Sequence, residues 1–297
     1  MGNASHKLEL DPYDDEKRYD SIEGVVSGQD DYHNGQRIES PDRLYRAGLL
    51  LNFKKEYSDA ITTLQQAYEG YTGSQQFTGQ MLALIELAWL KFNEEGEESG
   101  AKASRLFAQA QELLERYASE DGVQEIRARL LHYRGLVKYR KGAFGEGVRL
   151  LKQARTFCAQ NGLEAAKIND SLAIYYERIG DFHLAARCLK DALAVKELLD
   201  MPWETAVTAQ ILGRLYLIKE EYADALVYLQ QSLDISLELD DYKRVTSLKN
   251  ELVKLAIHQG DLEKAQAILD GAVRAFEQKG YEGASMDLVS ELAGVSK

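Results

Sequence analysis

Apolar and small residues recur along this chain at two periods, one within helices and one between them. "ERIGDFHLAARCLKDAL" is followed forty residues on by "LIKEEYADALVYLQQSL", and forty after that by "IHQGDLEKAQAILDGAV". Each copy carries an aromatic or Leu (Phe182, Tyr222, Leu262) and, three places on, an Ala (Ala185, Ala225, Ala265). A Leu comes four later (Leu189, Leu229, Leu269) and a small residue three beyond that (Ala192, Ser232, Ala272). Steps of three and four keep these positions on one face of a helix. The pattern recurs upstream with Phe144, Gly147, Leu151 and Ala154, and with Tyr57, Ala60, Leu64 and Ala67. A looser copy, Ala103, Phe107 and Ala110, follows the polar insertion "EEGEESG". Twelve residues before the key Ala or Gly stands another small residue in four copies: Gly48, Gly135, Ala173 and Gly213. Ala88 precedes Ala103 by fifteen, and Val253 breaks the rule. Small residues on either side of a turn let two antiparallel helices approach closely. Each pair has an apolar face that it cannot bury alone, so neighbouring pairs must stack.

Caps and turns set the boundaries. Ser40 is placed as an N-cap, with Pro41 at the first helical position and Asp42 in the first turn. Gly180-Asp181 and Gly260-Asp261 mark turns within repeats, and Asn161-Gly162 and "LLDMPWE" separate them. The predicted hairpins are about 40–74, 75–121, 122–162, 163–201, 202–240 and 241–280. A capping helix over 281–297 follows, with Met286, Val289 and Leu292 on one face. Residues 1–39 hold ten acidic and four basic residues without helical periodicity, and are expected to form a disordered acidic arm. No alternating Val/Ile/Thr-rich runs predict strands.

The stretches "ILGRLYLIKEEYADALVYLQQSL" and "SLAIYYERIGDFHLAARCLKDAL" resemble the tetratricopeptide repeat family. Leu212, Gly213, Tyr216, Ala225 and Leu229 match its signature in the first, and Leu172, Ala173, Tyr176, Ala185, Leu189 and Ala192 in the second. The resemblance covers about Ser40 to Gly280. The period is 40 rather than the family's 34, and the early Trp and closing Pro are mostly missing. Each helix is then longer by nearly a turn, as in the repeats of kinesin light chains and bacterial signalling arrays. The resemblance implies an all-α fold, a right-handed α-solenoid superhelix of about six hairpins.

Composition agrees with helices: 45% of the 297 residues are apolar and only three are proline. The formal charge of −12 argues against general nucleic-acid binding. Cys158 and Cys188 lack CxxC spacing and read as reduced thiols, which with the missing signal segment makes the cytoplasm the expected location. No apolar run is long enough to span a membrane. Met1-Gly2-Asn3-Ala4-Ser5 hints at myristoylation, but His6 stands where Ser or Thr is required.

Catalytic signatures are missing. The five histidines are scattered, and there is no HExxH, GxSxG, phosphate loop or dinucleotide fingerprint. "KGAFGEG" falls at a repeat turn, where Gly147 fills the small-residue slot. No cofactor, no metal and no enzymatic activity are expected.

The resemblance places a concave, partner-binding groove on the first helix of each hairpin. Repeat one offers Tyr45, Leu49 and Asn52; repeat two, Trp89 and Phe92; repeat three, His132, Tyr139 and Arg140. Repeat four offers Asp170 and Arg178, and the last two offer Arg214 and Lys254. The aromatic members either face the groove as an exposed patch or pack between repeats. The family's clamp for chaperone carboxylates does not carry over, because Tyr45 and Leu49 occupy its places. Repeat three also carries a basic run, Arg127, Arg129, Arg134, Lys138, Arg140 and Lys141, which is either a solvated face or a docking point for an acidic or phosphorylated segment. The expected function is a scaffold or adaptor gripping a peptide or helix of a partner protein. The alternative is a regulatory sensor of a peptide ligand, or the regulatory arm of a larger signalling protein or enzyme complex.

Overall fold

The computed structural model describes residues 40–94, 98–159 and 162–261, together with 32–33, 36–37, 263 and 267–268. Most of the expected arm at 1–39, most of the second helix of the sixth hairpin and the capping helix at 281–297 lie outside the described residues.

The fold is all-α. Its helices are α1 (Pro41–Phe53), α2 (Tyr57–Gly73), α3 (Phe77–Asn93), α4 (Ser99–Arg116), α5 (Val123–Arg140), α6 (Phe144–Thr156), α7 (Leu163–Arg178), α8 (Phe182–Leu198), α9 (Pro202–Ile218), α10 (Tyr222–Glu238) and α11 (Tyr242–His258). Their starts follow the expected chemistry. The Ser40 hydroxyl accepts from the Arg43 N–H at 3.3 Å, with Pro41 opening α1. Asp181 and Asp241 do the same for Leu184 and Arg244, each at 3.0 Å. Pro202 opens α9.

The turns after α1, α2, α5, α7, α8, α9, α10 and α11 share one geometry. After α7 the Gly180 N–H donates to Glu177 O and Asp181 N–H to Tyr176 O, the paired bonds of a Schellman ending. Such an ending holds one residue in the left-handed region. Gly142, Gly180 and Gly260 fill that place at no steric cost. Lys55, Gln75, Asp200, Glu220 and Asp240 adopt it as well, at φ between 51 and 62°. The turn is thus repeated where no glycine announces it.

The small residues form the notches between paired helices. A Cβ on Gly213 would lie 2.7 Å from Leu229 Cγ, and one on Gly48 would lie 2.6 Å from Leu64 Cγ. In α5/α6 two glycines meet: a Cβ on Gly147 would sit 2.9 Å from the Gly135 carbonyl oxygen. Ala60, Ala88 and Ala225 are fully buried in equivalent places.

The chain divides into two compact units, one ending at Tyr175 and the other beginning at Tyr176. In the first, hairpins α1/α2, α3/α4 and α5/α6 stack, with α3 packing on both α1 and α5. In the second, hairpin α9/α10 packs against α8 through α9 and against α11 through α10. One expectation is corrected. Tyr32–His33 and Gln36–Arg37 pair as a short antiparallel hairpin, Tyr32 opposite Arg37 and His33 opposite Gln36. The residues between them read Asn-Gly, the pair that best favours a two-residue hairpin connection. Among the described residues no helix is long and apolar enough to cross a membrane.

Candidate functional site

Within the first unit, the first helices of the hairpins carry a buried polar cluster. It begins with Glu86, a lone carboxylate in the apolar run "MLALIELAWL" of α3. Glu86 is 5% exposed, and the Tyr133 hydroxyl of α5 donates to its two oxygens at 3.1 and 3.3 Å. One turn before Tyr133, Arg129 donates through Nε to Glu164 of α7 at 3.3 Å and through Nη1 to the Tyr45 hydroxyl of α1 at 3.5 Å. His132 bridges α5 to α7: Nδ1 lies 2.8 Å from Glu164 Oε1 and Nε2 lies 2.9 Å from Ser171 Oγ. A buried carboxylate must be paired or hydrogen-bonded, and each of these has its partner on another helix.

The two carboxylates respond oppositely to burial. Glu86 is raised above the usual range, because loss of water outweighs the attraction of Arg129 and Lys167 and the hydrogen bond from Tyr133. Burial also pushes Glu164 up, but the bond to His132, with the charges of His132, Arg129 and Lys167, more than offsets it and holds Glu164 at about 2. Tyr45 is raised by burial first and by the Glu86 charge second. Opposed shifts inside one cluster mark a candidate site as well as a structural network.

A cavity of about 420 Å³ opens at the N-terminal ends of α3, α5 and α7. The Arg129–Glu164 pair contributes to its lining, with Leu82, Ile126 and Leu163 among the apolar walls. Asp121 and Glu125 add exposed carboxylates, and among the described residues neither side chain has an ion-pair or hydrogen-bond partner. Cys158 also lines the cavity; burial, then the charges of Glu164 and Glu125, push its thiol up to about 11. A helix turning 100° per residue places Glu125, Arg129, His132, Tyr139 and Arg140 on one side of α5. The cavity and the C-terminal end of α5 therefore share a face.

At that C-terminal end, Arg140 is exposed. Its guanidinium stacks 4.7 Å from the Trp89 ring centre and donates to Asn93 Oδ1. Lys141 lies 5.6 Å from the Phe92 ring centre. Trp89 itself is 4% exposed, packed against Tyr133 at 5.2 Å and Phe92 at 6.0 Å between centroids. His132 is 1% exposed. These two expected groove residues are buried, so of the two readings of the aromatic members, packing between repeats describes Trp89. Leu49, Asn52, Phe92, Tyr139 and Asp170 are half-buried.

At 100° per residue the basic run divides between two sides of α5, with Arg127, Arg134, Lys138 and Lys141 within about 60° of one another and Arg129 and Arg140 on the other side. Arg129 points into the cluster, Arg127 lies 5.3 Å over the Phe157 ring, and Lys138 pairs with Glu146 at 3.0 Å. Arg134 is half-buried, and Arg140 and Lys141 stand at the helix end.

The second unit holds its own polar contacts between first helices. Arg214 of α9 pairs with Glu251 of α11 at 3.3 Å, and Gln210 donates to Ser247 at 2.9 Å. Arg244 stacks 4.6 Å over Trp203. Arg178 and Lys254 are exposed. The expected groove residues thus fall into two sets, and the cluster brings together only Tyr45 and His132, with Trp89 against its edge through Tyr133. Glu86, Tyr133, Glu164 and Ser171 were missed. The one signal for them was Glu86, whose charge in an apolar helix demands partners on the neighbouring helices.

None of the curated proteins matches this sequence. A sequence family described as "Bacterial regulatory proteins, tetR family" matches residues 268–297, a short segment that does not place the whole chain in that family. Solved structures match far more of it. BtubC (BKLC) from P. vanneervenii is 18% identical, with 83% of this chain and 95% of that one covered and a TM-score of 0.63. A signal transduction ATPase with numerous domains from Pyrococcus horikoshii, with a tetratricopeptide repeat sensor, is 16% identical over 81% of this chain, with a TM-score of 0.61. The match spans 36% of that protein. Aspartyl phosphate phosphatase F from Bacillus subtilis is 13% identical, with 93% of this chain and 71% of that one covered and a TM-score of 0.56. At these identities the likeness speaks to fold alone. Together with the repeated hairpins and their small-residue notches, it gives the chain a tetratricopeptide-like helical repeat fold.

Proposed function

We propose that this chain is a non-catalytic interaction module that binds a peptide or helix of a partner protein along the first-helix face of its first unit. The observation that carries this reading is Arg140. It is exposed, stacked on Trp89 and held by Asn93, so its orientation is fixed before any partner arrives. An arginine constrained in this way loses little freedom on binding and still has donors to offer. Tyr139 and Phe92, both half-buried beside it, supply apolar contact area. A partner with an acidic or phosphorylated residue next to an apolar anchor fits this end of α5. Arg178, Arg214 and Lys254 extend the same reading to the second unit.

A second reading, a sensor whose ligand lies within the fold, is favoured by the cavity beside Arg129 and Glu164. Peptide display against the intact chain tests the first. Peptides selected on the wild type should lose binding to a Tyr139→Ala/Arg140→Glu variant and keep it on an Arg105→Glu variant of α4. Equal binding to all three proteins would move the partner site elsewhere.

A further inference from the structure

The cavity at the N-terminal ends of α3, α5 and α7 has a chemistry of its own. Its two exposed carboxylates, Asp121 and Glu125, have no partner among the described residues, and Glu164 is already engaged by His132 and Arg129. Arg129 is likewise committed, to Glu164 and to the Tyr45 hydroxyl. The uncompensated charge of the lining is therefore negative and lies with Asp121 and Glu125. Behind it are the aliphatic walls of Leu82, Ile126 and Leu163. An anion would meet like charge here. A purely apolar ligand would strip water from two carboxylates and return nothing to them. A cation at the end of an aliphatic stem satisfies both halves, lying along the walls with its charge at the carboxylates. The volume of about 420 Å³ is within the usual range of ligand sites and exceeds what one water-filled crevice needs.

We propose that this cavity receives the side chain of a lysine or arginine from a bound peptide, with Asp121 and Glu125 taking its charge and Leu82 and Ile126 its stem. The proposal rests on the reading of the chain as a peptide-binding module and adds the residue that such a peptide must carry. It also gives the overall charge of −12 a role, since an acidic protein draws a basic segment toward it.

Cys158 in the cavity wall gives a local readout. In the full chain carrying Cys188→Ser, the rate of Cys158 alkylation by iodoacetamide is measured with three capped peptides: acetyl-Ala-Leu-Lys-Leu-Ala-amide and its norleucine and glutamate counterparts. The lysine peptide at ten times its dissociation constant should slow the reaction about tenfold, and the other two should leave it within about twofold. Asp121→Asn/Glu125→Gln should abolish the protection while Trp89 fluorescence stays that of the folded protein. Equal protection by the norleucine peptide, protection by the glutamate peptide, or none by the lysine peptide would each overturn the proposal. These short probes need not reach Tyr139 or Arg140. Failure here with loss of display binding on Tyr139→Ala/Arg140→Glu would therefore remove the lysine pocket and leave the interaction face standing.

Discussion

Replacing Glu164 by Gln should cost the first unit about 3 kcal/mol at neutral pH. Glu164 is held at about 2 against an ordinary value of 4.5. At about 1.4 kcal/mol per pH unit this difference corresponds to about 3 kcal/mol of preference for the charged form in the folded state. The side chain is only 12% exposed, so solvent screening removes little of it. The sign follows from the lowered value. The contribution is fully present above about 4.5 and is lost as the pH falls toward 2. Glutamine keeps the shape and an acceptor oxygen but takes the countercharge from Arg129. Glu86 provides the contrast. Its folded value is raised, so its contribution is fully present at low pH and is lost as the pH rises through that value. Glu86→Gln, which still accepts from Tyr133, should therefore leave neutral-pH stability unchanged or higher. The assay is urea unfolding followed by Trp89 fluorescence in a Trp203→Phe background, since each unit holds one of the two tryptophans. With a urea slope of about 1–3 kcal/mol per molar, the Glu164→Gln midpoint should fall by about 1 M or more. Its stability should also vary less than the wild type's between pH 4.5 and 2. Equal midpoints at neutral pH, or a Glu86→Gln loss as large as that of Glu164→Gln, would refute this electrostatic assignment.

Two further predictions concern the frame that holds the site. Glu220 and Gly180 occupy equivalent left-handed turn positions, at φ of 60 and 78°; Glu220→Gly should stabilise the second unit by about 0.5 kcal/mol and Gly180→Ala should cost about 1 kcal/mol, read from Trp203 fluorescence in urea. A Cβ at Gly147 would press on backbone, 2.9 Å from Gly135 O and 3.1 Å from Tyr139 N, whereas one at Gly73 meets nothing within 4 Å. Gly147→Ala should therefore lower the melting temperature, and Gly73→Ala should raise it by the helix-propensity gain of about 0.5–1 kcal/mol.

The repeat pattern was legible because packing enforces it: any side chain at Gly48 or Gly213, or one larger than Ala at Ala225, would press the paired helices apart. The helix start at Ser40 was legible through its cap, and the turn before α8 through Gly180-Asp181. The turns at Lys55, Gln75, Asp200, Glu220 and Asp240 were less so, because their conformation is imposed by the helix ending rather than chosen by the residue. The short pairing of Tyr32–His33 with Gln36–Arg37 was missed because two-residue strands are too brief to show alternation. The site was legible only in outline. Family offsets named Tyr45, Trp89 and His132 but could not tell groove from interior. That depends on how deeply the first helices pack, which is a property of three helices together. Glu164 and Ser171 carry no sequence signal, since their role exists only through His132, more than thirty residues away.

The central claim, that the first-helix face of the first unit takes the partner, is tested most directly by methyl NMR of the intact chain with a display-selected peptide. The account predicts that the largest shifts fall on Leu82 of α3, Ile126 and Leu136 of α5 and Leu163 of α7. Leu106 and Leu113 of α4 and Val148 of α6 should stay unmoved. Shifts concentrated on those second-helix methyls, with the first-helix ones unchanged, would contradict it.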